Sequence, residues 1–220
     1  MTPHQQSERT AVLLVNLGTP DAPTPSAVRR YLKEFLSDPR VVEIPRPIWM
    51  LILHGIILRV RPKKSAAKYA TVWQDAGSPL MAHTQAQTTA LAEVLQQRGR
   101  DLVVTWAMRY AGHGPNSIPA VLERLREENA TRILLLPMYP QYSASTTATA
   151  IDEALNWVTG LRNQPELRYA RNFADDRGYI DAIANQIRTH WQKNPPPALP
   201  DASYRLVMSF HGLPERNLKL

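Results

Sequence analysis

Cysteine is absent from the 220-residue chain. No disulfide framework, zinc–thiolate site or thiolate-held iron–sulfur cluster can therefore come from it. Long apolar runs are missing as well. The longest, residues 48–58, falls well short of the roughly 20 residues that a membrane-spanning helix needs. Residues 1–10 are polar and lack the apolar centre of a secretory signal. Together these absences lead us to expect a cytoplasmic protein. The glycine patterns GxGxxG and GxxxxGK[ST], whose backbone cradles phosphates, do not occur, nor do GxSxG or HExxH. The common dinucleotide, nucleotide, serine-hydrolase and zinc-protease chemistries are thereby disfavoured. No internal repeat is visible.

What is present is the balance of a soluble globular chain, 44% hydrophobic and 20% charged. Its net charge of +7 is lopsided, with the surplus concentrated at Arg59, Arg61, Lys63, Lys64 and Lys68. Such a patch suits an anionic partner: nucleic acid, a lipid surface or a small acid. No nucleic-acid module and no interleaved aromatic series accompanies it, so nucleic acid is not expected as a partner.

Near-continuous apolar runs alternate with amphipathic ones. Residues 11–17 (AVLLVNL) read as a strand buried on both faces. Gly18, Thr19 and Pro20 end it, and Pro23, Pro25 and Ser26 lead into a helix over 27–36. The spacing predicts a helix over 84–98, with Leu91, Val94 and Leu95 on one face and Gly99 as its stop. A strand over 102–108 follows. Next comes a helix entered through Ser117 and Pro119, with Ile118, Val121, Leu122 and Leu125 as its stripe. Further strands are expected over 133–136 and, weakly, 167–172, with helices over 147–158 and 179–191. Helices between strands imply parallel pairing through right-handed crossovers, hence an α/β fold with a Rossmann-like, doubly wound parallel sheet. The proline-rich stretch 195–204 reads as a stiff linker, and 205–210 (RLVMSF) as another buried strand. The expected organisation is a first lobe over 1–194 with a lip segment at 46–69, the linker, and over 205–220 the first strand and turn of a second lobe only begun. A chain organised in this way reads as a truncated piece of something longer.

In open α/β sheets ligands bind beyond the carboxyl ends of the strands. Those positions hold Gly18-Thr19-Pro20, Arg109-Tyr110, Pro137 to Tyr142, and His211-Gly212. They are poor in paired carboxylates and rich in aromatics, with Met, Arg and one His. Residues 48–58, flanked by Arg46, Arg59 and Arg61, fit either an ordinary core helix or the lip of a greasy pocket. The lip could also lie in a bilayer interface. Hydrocarbon for a flat ring and guanidinium for its acids would suit an apolar, carboxylate-bearing ligand.

Five motifs then occur in order: Asn16-Leu17-Gly18-Thr19-Pro20, Gly77-Ser78-Pro79-Leu80, Met108-Arg109-Tyr110, Tyr139-Pro140-Gln141-Tyr142-Ser143, and Ser209-Phe210-His211-Gly212-Leu213-Pro214. From about Ala11 onward the chain resembles ferrochelatase, the lyase-class enzyme that inserts Fe(II) into protoporphyrin IX. That reaction is the last step of haem biosynthesis and releases two protons. The resemblance implies two Rossmann-like lobes with the porphyrin between them, protoporphyrin and ferrous iron as substrates, and no permanently bound cofactor. It also makes peripheral membrane contact at the inner face of the membrane an expectation.

By the same resemblance His211 matches the family's invariant histidine, as iron ligand or as acceptor of a pyrrole proton. An imidazole, ordinarily titrating near ~6.5, suits either role. Arg61 would pair a propionate, Tyr69 would contact the ring or its acids, and Ser78 would donate a hydrogen bond. Arg109 matches an arginine on the metal side of the pocket. Leu17 faces the macrocycle where other members carry Met or Tyr, so an apolar contact survives and an axial oxygen ligand is lost. Tyr142, with residues 143–147 behind it, opens a helix whose N–H groups would hold an anion or serve only as caps. The family's second invariant group, a glutamate of the second lobe, has no counterpart in these residues. The 220 residues alone are therefore expected to bind porphyrin weakly and not to metallate it. Other readings are a non-catalytic tetrapyrrole binder, an inactive fragment, or a chelatase for coproporphyrin or cobalt.

Overall fold

A computed structural model describes residues 8–195, 205–213 and 215. At its centre stands β1, Arg9–Asn16. Ala11, Leu13 and Val15 are fully buried on one face and Val12 and Leu14 nearly so on the other. A strand covered on both sides must be apolar at every position, which is why AVLLV runs without alternation. Around it lie β2 (Val103–Met108), β3 (Ala130–Pro137) and β4 (Glu166–Tyr169). All pairings are parallel, in the order β2-β1-β3-β4. The chain moves outward from β1 to β2, then crosses back to β3. The winding therefore reverses between β1 and β3, the switch point of a doubly wound sheet.

Helices cover both faces. Under one face α5 (Ile118–Glu127) and α6 (Thr149–Thr159) bring Ile118, Val121, Leu122, Leu125, Ala150 and Ala154 against Ala11, Leu13 and Val15. On the other, Asn16, which shares its side with Val12 and Leu14, donates through Nδ2 to Thr84 Oγ1 of α4 (Pro79–Gln97) at 3.1 Å. Gly99, at φ 67°, ends α4 as expected, with its N–H bonded to the Gln96 carbonyl. The stripe expected on α4 differs from the one observed. Its buried residues are Thr84 and Thr88, while Val94 is 41% exposed. Each threonine donates to a carbonyl one turn earlier, Leu80 and Thr84 respectively, and so enters the packing with its hydroxyl satisfied. Apolar periodicity is blind to such residues.

Beyond the carboxyl ends of the strands sits a second, helical core. It is built from α1 (Pro25–Ser37), α2 (Arg46–Ile52), a π-helical turn (Leu53–Ile57) and α3 (Leu58–Val72). Thr24 caps α1 by accepting from the Ala27 N–H, with Pro25 in the first turn. The apolar run 48–58 is divided between core and solvent. Leu53 and Leu58 are buried, with Trp49, Met50 and Ile57 packed beside them, whereas Ile48, Leu51 and Ile56 are exposed.

The chain separates into two compact units, Met1–Arg171 and Asn172–Leu220. In the second, α7 (Arg177–Lys193) is capped by Asp176, and the rings of Phe173 and Tyr179 meet edge to face at 5.4 Å. The strand expected over 205–210 is not formed. Residues 205–213 have no ladder partner among the described residues, and Val207 and Phe210 are largely exposed. An apolar, extended-prone sequence becomes a strand only where a neighbour takes up its N–H and C=O groups. The proline-rich stretch expected as a linker lies, apart from Pro195, outside the described residues.

Candidate functional site

The loops leaving β1 and β2 are knitted together. The Arg109 and Tyr110 N–H groups donate to the carbonyls of Asn16 and Leu17, each at 2.8 Å, and the Met138 N–H beyond β3 donates to Val15. Gly18 passes so close that a Cβ there would lie 2.4 Å from the Tyr110 carbonyl oxygen, and its φ of 112° also excludes a side chain. The Asn16-Leu17-Gly18 motif is thus the backbone solution to joining two strand ends.

Arg109 is held by the protein itself. Its Nε donates to the Thr149 hydroxyl at 2.8 Å and carbonyl at 3.0 Å, and its Nη2 to Asp38 at 3.0 Å. Glu153 stands 3.4 Å from the same nitrogen, and the guanidinium lies over the Tyr110 ring, 4.6 Å from its centre. Asp38 also accepts from the Tyr110 hydroxyl at 2.9 Å, the Arg40 N–H at 2.8 Å and the Thr149 hydroxyl. Burial works against ionising Asp38, yet these donors and the Arg109 charge outweigh it and hold the carboxyl below its ordinary value. Arg109 therefore ties together the end of β2, the end of α1 and the start of α6.

Tyrosines surround this knot. Tyr31 and Tyr69 stand close enough to perturb each other, and burial pushes both phenols up. Tyr31 stacks on Phe35, whose ring meets Tyr110 edge to face at 5.1 Å. Burial raises Tyr110 and Tyr139 well above the ordinary phenol value. Among the described residues three buried hydroxyls have no partner: Thr19, Tyr139 and Thr147. They follow β1 (Thr19) and β3 (Tyr139, Thr147), the two strands that flank the switch point. A buried hydroxyl without a bond costs free energy. Unsatisfied groups at this edge of a doubly wound sheet make it a candidate place for a ligand or ordered water.

The predicted site residues fall into groups. Leu17 and Tyr69 border the same apolar cluster of the helical core. Tyr69 also meets Trp73 edge to face at 6.4 Å. Ser78 is 2% exposed and caps α4, accepting from the Met81 N–H at 3.2 Å. Its own O–H proton is left to donate. Arg61 stands exposed on α3 and forms no ion pair among the described residues. Tyr142 is 37% exposed beneath the Arg171 guanidinium, 4.3 Å from the ring centre. Behind it Ser143 caps the Ser145 N–H of a five-residue π-helical turn, Ala144–Ala148. His211 belongs to the second unit and is exposed. The cleft of about 940 Å³ beside α1 takes only Arg109 from the predicted set. Its charges are largely paired with one another, Arg40 with Asp152 and Arg30 with Asp21 among them. No cluster of three or more His, Cys, Asp or Glu side chains able to hold a metal occurs among the described residues.

The ferrochelatase family model matches residues 9–220. This chain belongs to the ferrochelatase family. Over 217 residues it is 62% identical to the ferrochelatase of Dechloromonas aromatica, a match covering 99% of this chain and 58% of that protein. The ferrochelatases of Aromatoleum aromaticum and a Polaromonas species are 57% and 56% identical, over 99% of this chain and 57% of each relative. The chain thus spans little more than half the length of the ferrochelatases it matches. Sequence reasoning did not single out Asp38, Thr149 or Tyr31. Thr19, Tyr139 and Thr147 lay inside quoted segments, but only three-dimensional burial separates them from their neighbours.

Proposed function

We propose that this chain forms the first lobe of an enzyme that inserts Fe(II) into protoporphyrin IX, yielding haem and two protons. Family membership supplies the chelatase chemistry. Its strongest structural support is that Leu17 and Tyr69, both only partly buried, pack against one phenol-rich core cluster beside the switch point. A flat hydrophobic ring would lie against their exposed parts. The exposed Arg61 guanidinium would pair a propionate, with Ser78 and Tyr142 as polar contacts. Arg109, with Asp38, Thr149 and Glu153 on it, would hold the wall and leave the metal side to other groups. As ferrous iron enters as substrate, two pyrrole N–H protons must leave. The His211 imidazole would accept one of them, or would bind the ion.

Peripheral contact of the lip with a membrane belongs to the same proposal. Ile48, Leu51, Ile56 and Val60 are all more than half exposed, and Arg59, Arg61, Lys63 and Lys64 follow directly. No helix among the described residues is long and apolar enough to cross a membrane.

The test is titration of the chain with protoporphyrin IX, read by the shift of its main absorption band. Leu17→Glu and Arg61→Ala are each expected to weaken binding about tenfold, roughly the worth of one charge-assisted contact. In a chain of the relatives' full length, His211→Ala should abolish iron insertion while porphyrin still binds. Binding unchanged by both first-lobe substitutions would overturn the proposal.

A further inference from the structure

A separate concavity lies between α1 and the π-helical turn. It encloses about 390 Å³ and is lined by Ser26, Arg29, Arg30 and Lys33 of α1, by His54 of the turn and by Leu58. None of the proposed porphyrin contacts lines it. The four α1 positions share one side of the helix, opposite the buried Ala27, Val28 and Tyr31. No carboxylate lines the cavity. Arg30 is paired with Asp21 at 3.0 Å. Arg29 and Lys33 form no ion pair among the described residues. Glu34, the one acid on α1, accepts instead from the Gly112 N–H at 2.7 Å. The helices on the far wall bring no acid either, since residues 44–74 contain no Asp or Glu.

Arg29 and Lys33 stand one helical turn apart, where like charges repel. Arg30 adds a third cation between them, and the first turn of α1 adds the positive end of its dipole beside Ser26. Asp21 offsets Arg30 alone; the repulsion between Arg29 and Lys33, with no carboxylate lining the hollow, would be relieved by an anion. Guanidinium groups on one side and imidazole on the other suit an acceptor whose oxygens spread in three dimensions. A planar carboxylate, which presents two oxygens to a single fork, fits the arrangement less well.

We propose that this groove is a binding site for a phosphate-bearing anion, distinct from the porphyrin site. The phosphate reaches it either free in solution or as the headgroup of a lipid, and two probes separate these sources. Inorganic phosphate is titrated into the chain by equilibrium dialysis. Sedimentation is measured with vesicles of phosphatidylglycerol in phosphatidylcholine. Two double variants are compared: Arg29→Gln with Lys33→Gln, and Arg98→Gln with Arg100→Gln as an equal loss of exposed charge outside both the groove and the lip. All four residues are exposed, so both variants should keep the wild-type melting temperature. The groove variant is expected to lose at least about tenfold in affinity for one of the two probes, while the control changes little. Loss on inorganic phosphate alone identifies a soluble ligand, and loss on vesicles identifies the headgroup. Equal losses in the two variants would reduce the effect to diffuse surface charge and overturn the site. So would failure of both probes to bind the wild-type chain. Protoporphyrin titration of the groove variant should be unchanged, which separates failure here from failure of the chelatase reading.

Discussion

The two cores of the first unit are built on different chemistry. Beneath the sheet, the buried residues are alanine, valine, leucine and isoleucine throughout. In the helical core beyond the strand ends, Tyr31 and Tyr110 are buried and Phe35, Trp49 and Tyr69 are packed around them. Almost every large ring there carries a polar atom that must find a partner. The Trp49 indole N–H donates to the Leu36 carbonyl at 2.6 Å, and the Tyr110 hydroxyl to Asp38 at 2.9 Å. Aliphatic packing is non-directional and rewards volume filled. A core of phenols and indoles is stable in fewer arrangements, so it fixes where each side chain stands. The molecule places its non-directional core under the sheet and its directional one where a ligand is expected.

Substitutions should separate the two designs. Leu13→Ala, in the sheet core, has the largest expected effect, about 4 kcal/mol of unfolding free energy in urea titration. Leu13 is fully buried in the central strand, so the cavity cannot close by a loop moving in. A loss below about 1 kcal/mol would mean that the sheet core is not what holds the unit together. Asp38→Ala attacks the directional core and should cost about 3 kcal/mol near neutral pH, because it leaves the Arg109 charge short of a buried partner. Glu153 beside the same guanidinium keeps the cost at the lower end. The two variants differ in pH dependence. Folding lowers the affinity of Asp38 for its proton. Its stabilisation is therefore complete above the ordinary carboxylate value near ~4 and is lost as pH falls through the depressed folded value. The gap between wild type and Asp38→Ala should narrow below about pH 4, while the gap for Leu13→Ala should not. Parallel acid limbs for the two gaps would break the distinction.

The aliphatic core was legible in the sequence because its signal is local. Residues 11–17 as an unbroken apolar run, the stripe through Ile118, Val121, Leu122 and Leu125, and Gly99 after a helix each report on their own few neighbours. The directional core joins distant positions. Asp38 meets Arg109, 71 residues away, and Thr149, 111 residues away, and no periodicity carries such a pairing. One local sign was nevertheless available. Asp38 occupies the C-cap of α1, the negative end of the helix dipole, where a carboxylate is unfavourable unless a cation comes to it. Helix α3 escaped a pattern reading for another reason. Pro62 and five cations obscure a buried side as small as Leu58, Pro62 and Ala66. Leu17, Arg61, Tyr69, Ser78, Arg109, Tyr142 and His211 came from motif resemblance, which carries chemistry without burial. It therefore did not reveal that the Nε and Nη2 donors of Arg109 are taken up by the protein itself.

The smallest expected effect on stability lies where the directional core meets solvent, in the run 48–58. Leu51 and Leu53 sit two positions apart in the same hydrophobic stretch, 77% and 0% exposed. Had the run been only a core helix, burying both would have been the favourable outcome, about 2 kcal/mol each. Instead the outer leucine is left in water beside Ile48 and Ile56. Leu51→Asp should therefore change unfolding free energy by less than about 0.5 kcal/mol, because it removes little packing. It should still lower flotation of the chain with anionic liposomes, because it places a negative charge in the apolar strip that would enter the interface. Leu53→Ala should do the reverse, costing about 3 kcal/mol and leaving the flotation of the folded fraction alone. If Leu51→Asp floats like the wild type, the outward leucines have no lipid partner, and the exposed side of the helical core must be explained by the porphyrin alone.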